Sequence, residues 1–123
     1  MANIAKVGDN INSKTVSGHC YIVEYDENDN PYNSYYNCSI SGKISNAGSN
    51  SKVYINGVLV ATKGASTNES DDMHSNQSGT ITTGSSKVFI NGVPVARTGD
   101  IVNLHNGETT VISNTNSKVF INS

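Results

Sequence analysis

Ser51-Lys52-Val53-Tyr54-Ile55-Asn56-Gly57-Val58 returns as Ser86-Lys87-Val88-Phe89-Ile90-Asn91-Gly92-Val93, and again as Ser117-Lys118-Val119-Phe120-Ile121-Asn122-Ser123. A second element precedes each copy: Ala5-Lys6-Val7-Gly8-Asp9, Ala61-Thr62-Lys63-Gly64-Ala65 and Ala96-Arg97-Thr98-Gly99-Asp100. Opener, loop and Ser-Lys-Val strand thus follow one another three times, over units of about 1–60, 61–95 and 96–123. The alternation in Lys52-Val53-Tyr54-Ile55 predicts a strand that buries Val53 and Ile55 and turns Lys52 and Tyr54 outward. Asn56-Gly57 and Asn91-Gly92 predict two-residue type I′ hairpin turns, because both residue types tolerate positive φ. The return strands are Val58-Leu59-Val60 and Val93-Pro94-Val95. Pro94 cannot donate to a ladder and belongs at an edge or a bulge. Gly42–Ser45, Gly79–Thr82 and Thr110–Ser113 read as one more strand before each Ser-Lys-Val. No apolar stripe has a helical period, so the class is all-β.

The composition agrees with a thin core. Asn, Ser, Thr and Gly make up 56 of 123 residues, hydrophobic residues only 35%, and there is no Trp. That is one domain's length, neither core-rich nor charged enough to be disordered. A net charge of −2 argues against a protein that tracks nucleic-acid phosphates. No apolar run reaches the ~18 residues of a membrane helix. Met-Ala-Asn-Ile-Ala-Lys does not read as a secretory signal, so the expectation is a chain made in the cytoplasm and carried out by something else. No G-x-S-x-G or P-loop anchors a hydrolase or nucleotide-binding reading. Asp26-Glu27-Asn28-Asp29-Asn30 begins like a calcium loop, but Pro31 stands where Gly is required and Asn37 where Glu is required. Asn37-Cys38-Ser39, Asn68-Glu69-Ser70 and Asn76-Gln77-Ser78 match the glycosylation pattern as a chain rich in Asn and Ser does by chance. Lys52, Lys87 and Lys118 read as solvated outward positions.

The three loops between opener glycine and strand lysine span 44, 23 and 19 residues. The first therefore carries an insertion, about 21–36, holding Tyr21, Tyr25, Tyr32, Tyr35 and Tyr36 and the acids Glu24, Asp26, Glu27 and Asp29. Tyr21-Ile22-Val23 and Tyr35-Tyr36 are the expected arms of a β-flap on the outside of the array, with its tip near Asp29-Asn30-Pro31. Each loop also holds one of the three histidines, His19, His74 and His105. Three loops meeting at one end would gather three imidazoles, and one thiolate would complete a tetrahedral set suited to Zn²⁺, with iron the second choice. Cys38 is the preferred fourth ligand, because it lies four residues before Gly42, much as His74 lies five before Gly79. Cys20 is the alternative, and a Cys20–Cys38 disulfide is the other reading of the pair.

Gly84-Ser85-Ser86-Lys87-Val88-Phe89-Ile90-Asn91-Gly92-Val93-Pro94-Val95-Ala96-Arg97-Thr98-Gly99-Asp100 resembles the core motif of PAAR-repeat proteins, with Pro94-Val95-Ala96-Arg97 for the eponymous Pro-Ala-Ala-Arg. Leu59-Val60-Ala61-Thr62-Lys63-Gly64 and Ala5-Lys6-Val7-Gly8-Asp9 fit the same frame, so the resemblance covers essentially the whole chain. Val95 for the first Ala, Thr62 for Arg, and the flap depart from it. The resemblance implies a small cone of β-hairpins with pseudo-threefold symmetry and a structural metal, one per chain, near the apex. It further implies a non-enzymatic piercing tip that caps the trimeric β-helical spike of a phage tail, a phage-tail-like bacteriocin or a type VI secretion system. Such a tip is a monomer, sits one per spike trimer, binds no nucleic acid and meets the target cell envelope first. No separate toxin domain is expected. The apolar positions Val58, Leu59 and Val93 are the expected spike contacts, with the alike strands at the base and the histidine loops at the point. A metal-dependent hydrolase and a solenoid-like surface-binding module are the competing readings.

Overall fold

The computed structural model describes residues 2–113 and 119–121, so Ser117, Lys118, Asn122 and Ser123 of the third Ser-Lys-Val copy lie outside the described residues. The described chain is all strand and turn. In order the strands are β1 (Ala2–Asn3), β2 (Lys14–Tyr25), β3 (Pro31–Ile44), β4 (Tyr54–Ile55), β5 (Val58–Leu59), β6 (Ser66–Ser70), β7 (Gln77–Ile81), β8 (Phe89–Ile90), β9 (Val93–Pro94), β10 (Ile101–Asn103), β11 (Thr109–Val111) and β12 (Phe120–Ile121). Six of them form an antiparallel sheet in the order β11-β10-β7-β6-β3-β2. The segment before β2 nearly closes that sheet on itself: Ile11 bridges Ile112, and Asn12 N donates to Val111 O at 2.9 Å.

Two short hairpins carry the expected turns. Asn56 and Gly57 have φ of 51° and 78°, and Asn91 and Gly92 have 52° and 78°, the double positive φ of type I′. Pro94 faces only Phe89, in a two-stranded ladder where no further donor is required of it. The third hairpin is assembled differently: β12 pairs with β1, Asn3 opposite Phe120 and Ala2 opposite Ile121. The beginning of the chain therefore supplies the return strand of its last repeat.

The strand expected over Lys52–Ile55 begins only at Tyr54, and Val53 is exposed rather than buried. Asn50 explains this. Its Oδ1 accepts from Lys52 N and Val53 N at 3.1 and 2.9 Å, and its Nδ2 donates to Val53 O and Val60 O at 2.8 Å. Ser85 holds Lys87 N and Val88 N in the same way at 3.1 and 3.0 Å. Side chains that bond their own downstream backbone make a turn and withhold those groups from a ladder.

The openers form the centre of the molecule. Ala61 N donates to Ala5 O, Ala96 N to Ala61 O, and Ala5 N to Ala96 O, at 2.9–3.0 Å, a closed ring of three bonds. All three alanines are fully buried. Gly8, Gly64 and Gly99 follow at φ of 93°, 94° and 88°, each donating its N–H at 2.8 Å to Ile44, Ile81 and Ile112 respectively. Two of the openers are braced by ion pairs, Lys6–Asp9 at 3.4 Å and Arg97–Asp100 at 3.0 Å. In the third, Thr62 and Ala65 replace both members, and buried Thr62 Oγ1 bonds Ala47 O at 2.8 Å instead. The substitution of Thr for Arg is thus matched at its partner position. Around the ring pack Ile11, Ile40, Ile44, Ile81, Val102 and Ile112.

The flap is present with the expected arms. β2 and β3 pair from Tyr21 opposite Tyr35 to Tyr25 opposite Pro31, and Asp26 Oδ1 holds Asn28 N and Asn30 N across the tip at 2.8 and 2.9 Å. The flap lies outside the array. It is the connection between β2 and β3, and it leaves the sheet at the same end as the β6–β7 and β10–β11 connections, the ends that carry the histidines.

Candidate metal centre

His19 comes from β2, His74 from the turn between β6 and β7, and His105 from the turn between β10 and β11. Their rings converge, with centroids 4.6, 5.1 and 5.8 Å apart. The residue at their centre is Asp71, whose side chain is fully buried. Asp71 Oδ2 lies 2.8 Å from His19 Nε2 and 3.0 Å from His105 Nε2, and Oδ1 lies 2.9 Å from His74 Nδ1. His19 Nε2 and His105 Nε2 are 3.2 Å apart. One ligand atom from each of His19, Asp71, His74 and His105 falls within 4.8 Å of all the others, a group able to hold a metal ion. A tetrahedral zinc with bonds of ~2.0–2.1 Å to N and O has ligand–ligand edges of about 3.3 Å. The contacts of Asp71 with the three histidines and the His19–His105 contact need only slight expansion to reach that value.

Local structure aims each donor. Asp71 closes a tight turn, its Oδ1 accepting from Met73 N and His74 N at 2.9 and 2.8 Å, and that turn holds His74 beside it. His105 is oriented from behind by buried Glu69. His105 Nδ1–H and backbone N–H donate to Glu69 Oε1 at 2.8 and 2.9 Å, while Thr67 Oγ1 donates to Glu69 Oε2. Gly79 N in turn donates to Thr67 Oγ1 at 3.0 Å. With Nδ1 committed as a donor, the Nε2 lone pair of His105 faces the centre. A carboxylate behind a ligating imidazole in this manner fixes the tautomer and raises the ring's basicity. Burial pushes the Asp71 carboxyl up, but bonds from Met73 N–H, His74 and His19 outweigh it and hold the group well below the usual carboxylate range. It therefore stays anionic, as a ligand must.

The cysteines are not arranged as expected. Cys38 is bonded to Cys20 with Cα atoms 6.1 Å apart, so neither offers a thiolate, and Asp71 stands where the sulfur ligand was expected. A residue four positions before Gly42 lies opposite Val16 in the β2–β3 ladder, and β2 slips register between Val16 and Cys20, which brings the two sulfurs together. Asp71 and Glu69 were not singled out from sequence. The readable signal for Asp71 was its place three residues before His74 at a turn, and for Glu69 the inward alternation with Thr67 along β6. At the opposite end of the sheet, Val58, Leu59 and Val93 are half-buried in their hairpins.

A model of the PAAR motif matches the sequence twice, over residues 37–103 and 71–123, an overlap that a repeating unit would give. The chain belongs to the PAAR-motif family. No curated protein matches this PAAR chain closely enough to count as a relative. The PAAR motif is known from spike-tip proteins of contractile injection systems, and the family is structural rather than catalytic.

Proposed function

We propose that this PAAR protein is a metal-stapled piercing tip that caps the trimeric central spike of a contractile injection machine and enters the target envelope first. The observation that carries the reading is a matched set of exposed apolar side chains at the end opposite the histidines. Val53, Val88 and Val119 are 44, 39 and 39% exposed, and Tyr54, Phe89 and Phe120 are 55, 50 and 52% exposed. Three equivalent apolar steps on one end are what a three-stranded partner would cover, and uncovered they are a liability. They replace the half-buried Val58, Leu59 and Val93 as the main contacts, with one tip seated on each trimer.

His19, Asp71, His74 and His105 would hold a zinc ion. Four protein ligands leave it no position for water or substrate, and its binding energy would serve folding in a chain with little core. The histidine centre is not the foremost point. β2 runs six residues past His19 to Tyr25, and at ~3.3 Å per residue this carries the ribbon about 20 Å further. The flap is then the leading edge. The reading is tested by capture of the spike from the same gene cluster on immobilised tip, where Phe89→Glu is expected to abolish capture while leaving metal content unchanged. Undiminished capture would refute the docking face.

A further inference from the structure

The flap is a two-stranded ribbon with two unlike faces. In the β2–β3 register Tyr21, Val23 and Tyr25 share one face with Tyr35, Asn33 and Pro31, and on it the Tyr21 and Tyr35 rings stand 5.4 Å apart. That face carries no charge. Ile22 and Glu24 share the other with Ser34 and Tyr32. There Tyr32 Oη donates to Glu24 at 3.0 Å, and Tyr36 Oη donates to Asp72 at 3.2 Å. Ile22, Val23, Tyr25, Tyr32 and Tyr35 are all exposed. The sequence holds no Lys or Arg between Lys14 and Lys43, while Glu24, Asp26, Glu27 and Asp29 all fall in the ribbon.

One edge of the ribbon is open. Asp26 N donates to Asn30 O at 3.0 Å, so Ile22 and Glu24 bond inward to β3, and the N–H and C=O groups of Tyr21, Val23 and Tyr25 point outward. Tyr21 N agrees with this parity, because it donates to Met73 Sδ and not to β3. β2 is the last strand of its sheet, and among the described residues nothing pairs with its outer edge from Val23 to Tyr25. Exposed edges are commonly blunted by Lys, Pro or a bulge. Tyr21–Tyr25 has neither Lys nor Pro, and the register slip lies before it, between Val16 and Cys20. On β3, by contrast, Pro31 offers its edge no N–H.

We propose that the outer edge of β2 in the flap is a docking site for an extended polypeptide segment in which basic and apolar residues alternate, added to the ribbon as a third strand. Main-chain bonds to Val23 and Tyr25 hold such a segment, and its alternate side chains decide which segment is held. Its period of two lays every second side chain beside Tyr21, Val23 and Tyr25, a face that takes apolar groups. The others fall beside Ile22, Glu24 and Tyr32, where a cation meets a carboxylate and the face of a tyrosine ring. Charge selects this partner over an anionic lipid surface, which four carboxylates without a compensating cation would repel. The site shares no residue with the metal centre or with the apolar end proposed to meet the spike, so its failure leaves both readings standing.

A short fluorescent peptide of alternating Lys and Val, titrated with the full chain and followed by anisotropy, tests this. Saturable binding is expected, with none by a peptide of alternating Glu and Val. Amide exchange at Val23 and Tyr25 should slow in the complex. Val23→Pro removes one outward N–H without touching the ladder to β3 and should weaken binding about tenfold. Glu24→Gln leaves the backbone as it is and should weaken binding about threefold while flattening its dependence on salt. No binding of the alternating peptide, or undiminished binding by either variant, would overturn the proposal. So would equal affinity for a peptide of the same composition with Lys and Val in two blocks, or a complex that leaves the Val23 and Tyr25 amides unprotected. Association with phosphatidylglycerol vesicles but not with the peptide would assign the flap to a membrane and overturn it as well.

Discussion

Replacing Asp71 with asparagine keeps the size of the side chain and its Oδ1 while exchanging Oδ2 for an amide nitrogen. The Oδ1 bonds to Met73 N, His74 N and His74 Nδ1 can persist. Oδ2 lies 2.8 Å from His19 Nε2 and 3.0 Å from His105 Nε2; an amide NH₂ in its place cannot accept from His19 Nε2–H, whereas the His105 Nε2 lone pair can face it. A hydrogen bond to a charged acceptor contributes about 1.5–3 kcal/mol, so losing the one from His19 at a fully buried carboxylate should cost the metal-free protein about 2 kcal/mol. At this chain length that is a fall in Tm on the order of 10 °C. The second effect is on metal. One zinc equivalent should raise the Tm of the parent protein, because an ion that binds only the folded chain stabilises it by mass action. The variant, short of one ligand, should lose most of that rise. Calorimetry of both proteins with chelator and with one equivalent of zinc reads the two effects separately. A variant that keeps the parent's zinc-dependent rise would show that Asp71 is not a ligand, whatever its metal-free stability.

Glu69→Gln should weaken zinc binding by about 10–100-fold, as loss of a carboxylate behind a ligating imidazole generally does, while leaving a folded protein; competition with a chromophoric chelator measures it. Gly79→Ala should destabilise by about 3 kcal/mol in denaturant unfolding, since a Cβ there would overlap Glu69 Oε2 and the Asn103 carbonyl. The pH dependence follows from Asp71, whose carboxyl is held below its ordinary 3.8 in the folded chain. Its stabilisation is complete above that value and lost as pH falls through and beneath it, so metal-free parent protein should lose stability below about pH 4 more steeply than Asp71→Asn. Joining Ile22 to Ser34 through an Asn-Gly turn removes the outer flap at a paired position and should leave zinc content unchanged by elemental analysis.

The fold was legible where local chemistry repeats. Asn-Gly imposes its turn regardless of surroundings, and the opener glycines recur at nearly the same φ, so both Asn-Gly turns and all three openers were readable from residues alone. Val53 misled because its alternation with Ile55 is a strand pattern, whereas Asn50 captures the backbone before a ladder forms. The return strand of the last hairpin was invisible for a different reason: Ala2-Asn3 shares almost nothing with Val58-Leu59, and only its pairing with Phe120 gives it the same role. At the site, one histidine per loop announced a cluster because histidines are scarce in this chain. Asp71 and Glu69 were hidden among ten acids, most of them solvated, and nothing short of three-dimensional placement separates them from Asp72 or Glu108. The choice between thiolate and disulfide depended on the register slip in β2, which Gly18 permits and no periodicity reveals.

The central claim, a single chain capping a trimeric partner, is tested most directly by native mass spectrometry of the tip co-expressed with the spike from its own gene cluster. One copy of this chain is expected for every three spike chains, with the mass of one metal ion retained on the tip. Three tips per spike trimer, or spike and tip measured only as separate species, would contradict it.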